Sequence, residues 1–439
     1  MATTDNTTKK STERLSGHPE ALLGVSIEGL QAIAQREAHL GVTARSKDPS
    51  VHLRKLRELQ NIVQETECIK SGLVKKWCSL RTLKESLQQK ERFDSINLSK
   101  FLIADSGDGI SMKDIVDESK KNFVWEALER GNALNKIREE NNWKAASVTL
   151  TCCGFMHHSS KKWDGSTPVE QQVHLQGCWK RFRSALSKLG IEEGEDWLAL
   201  KGAEPHWDGT VHWQLCIIAS EENMAVIFKL LKKYYLDDHY PDERGAKKRR
   251  VKIRIADNGE DANKIANYVA KYALMSHLPE VMHKTEEHID NARRYAAWRK
   301  RWKIRGFSFC GLAPVGLWRE CRSRQFDSAE EMDLVKYAQA GDYYAFHNEW
   351  KRLGGRLEVK SIHVEYINKY SEKIKKCIGH FIKHSAEVIA VKVRNAVIKT
   401  VHAAKALVTL VVNEPSKGKD PTEGMISQRE SVKDDELPF

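Results

Sequence analysis

Residues Glu204 to Ile218 read EPHWDGTVHWQLCII, and the way this stretch folds decides the rest of the chain. Asp208-Gly209 is a turn signal, and the residues on both sides alternate polar and apolar as strands do. Loop length then sets which side chains share a face. A two-residue loop at Asp208-Gly209 puts Glu204 and His206 on the face away from His212 and Gln214. A three-residue loop, Trp207-Asp208-Gly209, gives Gly209 the left-handed place in a bulged turn. Glu204 then stands opposite His212, with His206 and Gln214 diagonal to them on the same face. Carboxylate, imidazole and amide oxygen gathered in this way suit Mg²⁺ or Mn²⁺ better than a structural zinc. The alternative is a solvated strand face lined by polar residues and holding no ion.

The 439 residues can form two or three domains, and 72 Lys+Arg against 60 Asp+Glu leave a net charge of +12. That balance, with a pI near 9.1, suits a polyanionic partner without identifying one. The nine cysteines form no CxxC pair, which argues against both a disulfide framework and a zinc ribbon. MATTDNTTKK at the N-terminus has no signal-peptide apolar run, and no stretch is long and apolar enough to span a bilayer. The expectation is a cytoplasmic protein with no membrane partner.

Residues Met1 to about Gly17 are polar and read as disordered; Ile27 to Lys90 and Phe93 to Asn141 read as helical. Ser147-Val-Thr-Leu-Thr-Cys152 is a β-branched run expected as a buried strand. Cys152, Cys153, His157 and His158 form a competing zinc set, disfavoured because adjacent cysteines fit one tetrahedral ion poorly. Thr167-Pro168-Val169-Glu170 supplies a cap, a first-turn proline and a capping-box glutamate. The helix it opens carries Leu175, Trp179, Phe182, Leu186 and Leu189 as an apolar stripe. His174-Leu175-Gln176 within it is a decoy, since helical residues two apart point to different sides. Another helix is expected from Glu221 to Tyr235.

Further on, Lys247, Lys248, Arg249, Arg250, Lys252 and Arg254 form a basic run suited to phosphate contacts. In Asn267-Tyr-Val-Ala-Lys-Tyr272, the apolar Ile265, Val269 and Ala273 recur every four residues. That leaves Tyr268 and Tyr272 one turn apart on a neighbouring face, roughly 5–6 Å between Cβ atoms. From Arg293 to Arg324 arginines and lysines interleave with Trp298, Trp302, Phe307 and Trp318, the mixture a single-strand groove needs. In AEVIAVKVRNAVIKTV, Val391, Val393, Val397 and the turn-like Arg394-Asn395 favour a hairpin over a basic helix. The tail from Asn413 is polar and reads as disordered.

PHWDGTVHWQ resembles the metal hairpin of HUH endonucleases, and more narrowly that of the replication gene A proteins of temperate tailed phages. Their pattern is Pro-His-x-Asp-Gly-Thr-x-His-Trp-His, so Gln214 stands here in place of a histidine; related viral initiators also use His-x-Gln. Thr149-Leu-Thr-Cys152 followed by His157 resembles the family's first motif, and YVAKY its Tyr-(Ile/Val)-Ala-Lys-Tyr nucleophile motif. The match is clear from about Asp48 to Arg324 and faint to about Leu407.

The resemblance implies an α+β fold, with a ferredoxin-like antiparallel sheet carrying the hairpin in residues 141–326. A basic helical region (1–140), an accessory region (327–412) and a tail (413–439) would flank it. It also implies a site- and strand-specific DNA nickase that initiates rolling-circle replication. Tyr268 and Tyr272 would be its nucleophiles, with Lys271 stabilising charge, and Glu204, His206, His212 and Gln214 holding Mg²⁺ or Mn²⁺. The basic run, Trp298 and Trp302 would bind DNA, with single-stranded or supercoiled origin DNA and the host replicative helicase as partners. Val432-Lys-Asp-Asp-Glu-Leu-Pro-Phe439 resembles the acidic tip of bacterial single-stranded-DNA-binding proteins, which implies host proteins with a pocket for Pro-Phe ends. A relaxase or transposase of the same superfamily, or a non-catalytic DNA-binding descendant, is the alternative.

Overall fold

The computed structural model describes residues 49–103, 109–256, 285–323, 333–355, 358–369, 371–384, 387–391, 396–399 and 409–412. The N-terminal stretch to residue 48, the Tyr268-Lys271-Tyr272 segment and the tail from residue 413 therefore lie outside the described residues.

The N-terminal part is helical. Helix α1 (Pro49–Lys70) leads to α2 (Leu80–Leu98), and a short hairpin of β1 (Phe101–Ile103) and β2 (Gly109–Ser111) precedes α3 (Met112–Glu140). Buried Glu65 joins α1 to α2: its carboxylate accepts from Ser79 N at 2.8 Å and Thr82 Oγ1 at 2.6 Å, where the first-turn amides of α2 lack helical partners. The stretch from Phe93 to Asn141, expected as helical, holds the end of α2 and the long α3, with the short β1–β2 hairpin between them.

β3 (Lys144–Thr151) is followed by α4 (Pro168–Lys188), whose capping box forms as read: Thr167 Oγ1 accepts from Glu170 N, and Thr167 N donates to the Glu170 carboxylate at 2.8 Å. β4 (Trp197–Pro205) and β5 (Val211–Ala219) make the decisive hairpin. Helix α5 (Glu221–Lys232) runs into a π-helical turn at Lys233–Asp237, then come α6 (Ala246–Arg249), β6 (Val251–Ile255), α7 (Glu286–Trp302) and β7 (Phe307–Cys310). α8 (Val315–Ser323), α9 (Asp333–Ala340) and α10 (Tyr343–Arg352) precede the C-terminal strands.

The protein is α+β, with a five-stranded sheet in the order β6-β3-β5-β4-β7 in which every neighbouring pair is antiparallel. Side-chain alternation divides its hydrophobic contacts between two cores. On one face Ala199, Ala203, Val211, Trp213, Leu215 and Ile217 pack with Leu175, Trp179 and Phe182 of α4, Ile227 and Leu231 of α5, and Tyr295, Trp298 and Trp302 of α7. On the other, Leu198, Leu200, Cys216 and Ile218 meet Leu134 of α3, Leu317 and Trp318 of α8, and Phe346 of α10. This second apolar core takes in only the part of the face far from the hairpin turn. Toward the turn the same face carries Gly202, Glu204, His212, Gln214, Thr149 and Thr151, placed side by side by the register.

Further along, β8 (Glu358–Ile367), β9 (Lys373–His384) and β10 (Glu387–Val391) form a meander, while β11 (Ala396–Lys399) pairs with β12 (Thr409–Val412). Among the described residues the strands on either side of Arg394-Asn395 pair elsewhere, β10 with β9 and β11 with β12.

Gly311 sits where β7 leaves the sheet, at φ +82°, and a Cβ there would lie 2.5 Å from Leu198 Cδ2 and 2.7 Å from Gly194 N. Gly311→Ala should therefore lower unfolding stability by about 3 kcal/mol, read as a shifted midpoint in urea denaturation.

Candidate metal and nucleic-acid site

The hairpin closes by the longer of the two loops. His206 N donates to Thr210 O at 2.7 Å, Gly209 N donates to His206 O at 2.8 Å, and Gly209 is left-handed at φ +85°. Trp207-Asp208-Gly209 is thus the three-residue bulged turn, and Glu204 stands opposite His212.

The tip is held from several directions. Asp208 accepts from Thr210 N at 3.0 Å and from Ser159 N at 2.9 Å. Burial alone would raise its carboxyl, but these hydrogen bonds outweigh that and bring the pKa down to about 2. His158 donates its backbone amide to Thr210 Oγ1 at 3.1 Å and sets its ring 2.9 Å from Asp208 O. Trp298 Nε1 donates to Gly209 O at 2.9 Å, Tyr295 OH to Ala203 O at 2.8 Å, and Trp77 N to Trp207 O at 3.0 Å.

Behind this tip lies a buried polar cluster. Glu204 Oε2 is 3.5 Å from His212 Nε2, and His206 stacks on His212 with ring centroids 4.1 Å apart. His157, from the loop after β3, lies 5.1 Å from His206 between ring centroids. Gln214 Oε1 accepts from Thr149 Oγ1 at 2.9 Å, which orients the amide oxygen and leaves it a second lone pair. Burial pushes Glu204 up to about 8. Burial, then the neighbouring His212 and His157, brings His206 down to about 3; burial, then His157 and Lys252, brings His212 down to about 4. The Glu204–His212 contact is therefore one between neutral groups at neutral pH rather than an ion pair. Glu204 Oε1, His206 Nε2 and His212 Nδ1 are buried with no hydrogen-bond partner. Oxygen and imidazole donors of this kind fit a Mg²⁺ or Mn²⁺ ion, whereas leaving them unmet costs about 1–3 kcal/mol each.

Lys252 pairs in register with Thr149, so it projects on the polar face beside Gln214, and Arg254 follows beside Ser147. Both are exposed, as are Lys247, Lys248 and Arg249. Arg250 is different. It is 2% exposed, donates to Tyr240 O at 2.9 Å and to His239 O, and pairs with Glu243, whose carboxylate also accepts from Gly154 N. It closes the 239–250 loop on itself, and its burial keeps it from a phosphate at the surface.

Trp298 and Trp302 are likewise core residues, at 0% and 2% exposure. Tyr295, Trp298 and Trp302 recur at helical spacing and share the inward face of α7, where no base can stack on them. Cys152 and Cys153 are buried, with the Cys152 thiol pointing at Val211 O and Gln171 O, so the disfavoured four-residue zinc set does not assemble. The residues that sequence reasoning passed over are Thr149, which fixes Gln214, and Trp77, which braces the turn.

The buried polar cluster thus lies beside one strand, β6, that carries the exposed Lys252 and Arg254, and the comparisons with known proteins give the chain a family. The chain belongs to the bacteriophage replication gene A protein (GPA) family, whose model matches residues 16–274. It is 30% identical over 357 residues to the replication protein of Haemophilus phage HP1, covering 74% of this chain and 44% of that one. It is 28% identical over 280 residues to the replication gene A protein of Escherichia phage 186, covering 60% and 39%. A probable replication endonuclease from a prophage-like region of Salmonella typhi is 25% identical over 268 residues, covering 58% and 33%. The chain thus spans less than half the length of each of these three relatives. No solved structure matches it significantly. Among the described residues no helix is long and apolar enough to cross a membrane.

Trp298→Phe keeps most of the ring but leaves the Gly209 carbonyl unmet. Stability should fall by about 1–3 kcal/mol in urea denaturation; a tryptophan that only stacked on bases would leave it unchanged.

The buried carboxyl gives a pH signature. Glu204 is raised from 4.5 to about 8, so between those values the folded chain holds a proton that the unfolded chain has released. Its contribution is fully present below the lower value and is lost as pH rises through the upper one. The lowered His206 and His212 act oppositely, losing stability as pH falls below 6.5. Subtracting Glu204→Gln from wild type isolates the carboxyl. Between about pH 5 and about pH 8.5 the metal-free wild type should lose more melting temperature than this variant, and added Mn²⁺ should restore the difference.

Proposed function

We propose that the chain is a divalent-metal-dependent, single-strand DNA endonuclease that starts rolling-circle replication of a phage or prophage genome. The observation that carries the reading is the register of the β4–β5 hairpin, which puts Glu204 opposite His212 and Gln214 on the same buried polar face, with acceptor atoms unmet. The run β3-α4-β4-β5-α5-β6 around that hairpin, with only the short α6 set before β6, supports a HUH-type core. The names of relatives, replication protein and probable replication endonuclease, point the same way.

In this reading a Tyr268 or Tyr272 hydroxyl attacks the scissile phosphorus. An O–P bond to tyrosine forms, the bond from phosphorus to the 3′-oxygen breaks, and the departing 3′-hydroxyl primes synthesis. Glu204, His212 and Gln214 would hold a divalent ion, which would supply Lewis-acid chemistry to the scissile phosphate. Thr149 holds the Gln214 amide, Lys252 stands beside it as a phosphate contact, and Lys271 balances charge near the nucleophiles. Lys247, Lys248, Arg249 and Arg254 follow the DNA backbone. Origin DNA, a host replicative helicase and host proteins that take the Pro-Phe439 end complete the set of partners.

The test is incubation of the full chain with single-stranded DNA from its own element and Mn²⁺, looking for a protein–DNA adduct on a denaturing gel. His212→Ala should abolish the adduct, and Gln214→His should keep it. If His212→Ala nicks normally with Mg²⁺ or Mn²⁺, the metal-hairpin assignment is wrong. Single Tyr268→Phe and Tyr272→Phe changes should leave at least one variant able to cleave, but neither able to release a closed circle. The double change should form no adduct; one mapped by peptide mass to another residue would overturn the mechanism.

A further inference from the structure

A second group of metal-binding side chains lies apart from the hairpin. His174 and Cys178 stand one turn apart on α4, and His239 reaches them from the loop after the π-helical turn. Their ligand atoms all lie within 4.8 Å of one another: Cys178 Sγ is 4.0 Å from His174 Nε2 and 3.6 Å from His239 Nε2. A tetrahedral zinc with ordinary Zn–S and Zn–N bonds needs its sulfur and nitrogen ligands about 3.5 Å apart, so small rotations of three side chains suffice.

A cation already visits the place. Arg181, one turn further along α4, sets a guanidinium nitrogen 2.8 Å from His239 Nε2 and 3.4 Å from Cys178 Sγ. The lone pair of His239 Nε2 therefore faces a positive charge, as it would face an ion. Arg181 is exposed and its long side chain can withdraw into solvent, whereas Cys178 is fully buried. We propose that His174, Cys178 and His239 form a zinc site, with solvent in the fourth position, that clamps the 238–250 loop to α4.

The donor set selects the metal. One thiolate and two imidazoles favour a borderline-soft ion over the Mg²⁺ or Mn²⁺ suited to the oxygen-bearing hairpin. Burial, then the neighbouring His239, lowers His174 to about 4; burial, then Arg181, lowers His239; and burial pushes the Cys178 thiol up to about 11. The Cys178 proton leaves when the ion binds, making uptake weaker as pH falls. The clamped loop carries the exposed Lys247–Arg249 stretch and the Arg250–Glu243 tie that reaches Gly154. Holding that loop is the physical consequence of the site, and it stands independently of the nickase reading.

The experiment uses the full chain, stripped with chelator and titrated with Zn²⁺ against a chromophoric competitor, with Co²⁺ as a spectroscopic substitute. The wild type should take up one tight zinc per chain, show a thiolate-to-cobalt charge-transfer band and melt at higher temperature with Zn²⁺ present. His239→Ala, at a partly exposed loop position, should weaken zinc by roughly tenfold or more. Cys178→Ser should lose the charge-transfer band. Arg181→Ala should bind zinc more tightly, because the competing guanidinium is gone. A Glu204→Gln/His212→Ala double variant should keep the tight zinc, which separates this site from the hairpin. A wild type with no tight zinc, or a Cys178→Ser or His239→Ala protein that binds like wild type, overturns the assignment. If Cys178→Ser does not fold, the His239→Ala and Arg181→Ala titrations decide alone.

Discussion

One backbone conformation, the left-handed Gly209, governs the arrangement. It allows a three-residue turn, and the turn sets the register that brings Glu204 opposite His212. Because strand side chains alternate, the two-residue turn would send the carboxylate to the other face and disperse the cluster. The molecule braces that choice with groups far apart in the chain: Trp77 from the α1–α2 connection, His158 and Ser159 from the loop after β3, and Trp298 from α7. Three separate regions thus converge on five residues of turn.

The polar cluster under the turn is costly to the metal-free fold. Glu204 must stay protonated and both histidines neutral, because burial penalises their charged forms more than their mutual contacts repay. A neutral carboxyl beside neutral imidazoles still leaves three buried polar atoms without partners. Under the proposed function, an incoming cation would reverse the balance by favouring the carboxylate and giving the nitrogens something to bind. Stability and ion binding would then be linked through the same few atoms, and the pH dependence of one would report on the other.

Much of this was legible in the sequence where local rules act. The Asp208-Gly209 turn with its flanking alternation, the Thr167–Glu170 capping box and the β-branched strand before Cys152 each carry a short-range physical cause, and each forms. Reading failed where a side chain's role depends on which way it faces. Trp298 and Trp302 looked like stacking platforms because arginines interleave with them, yet their spacing with Tyr295 marks one buried stripe, and that periodicity was the available signal. Arg250 cannot be told from its basic neighbours by composition; only the fold of the 239–250 loop turns it inward. His174 and Gln176 point to different sides of α4, and the neighbour that His174 meets on its own helix is Cys178, four residues on. His239 is 61 residues beyond Cys178, and no local rule could have joined them.

The alternation of β5 has a consequence for descent. Val211, Trp213 and Leu215 carry the packing, while the interposed His212 and Gln214 carry the polar chemistry. An exchange at either polar position alters what the cluster can hold while sparing the hydrophobic contacts that fold the strand. Gln214, which stands where the motif it resembles has a histidine, sits at such a position and is held by a single hydroxyl on the neighbouring strand. The polar positions of this strand can therefore change one at a time without disturbing the packing that folds it.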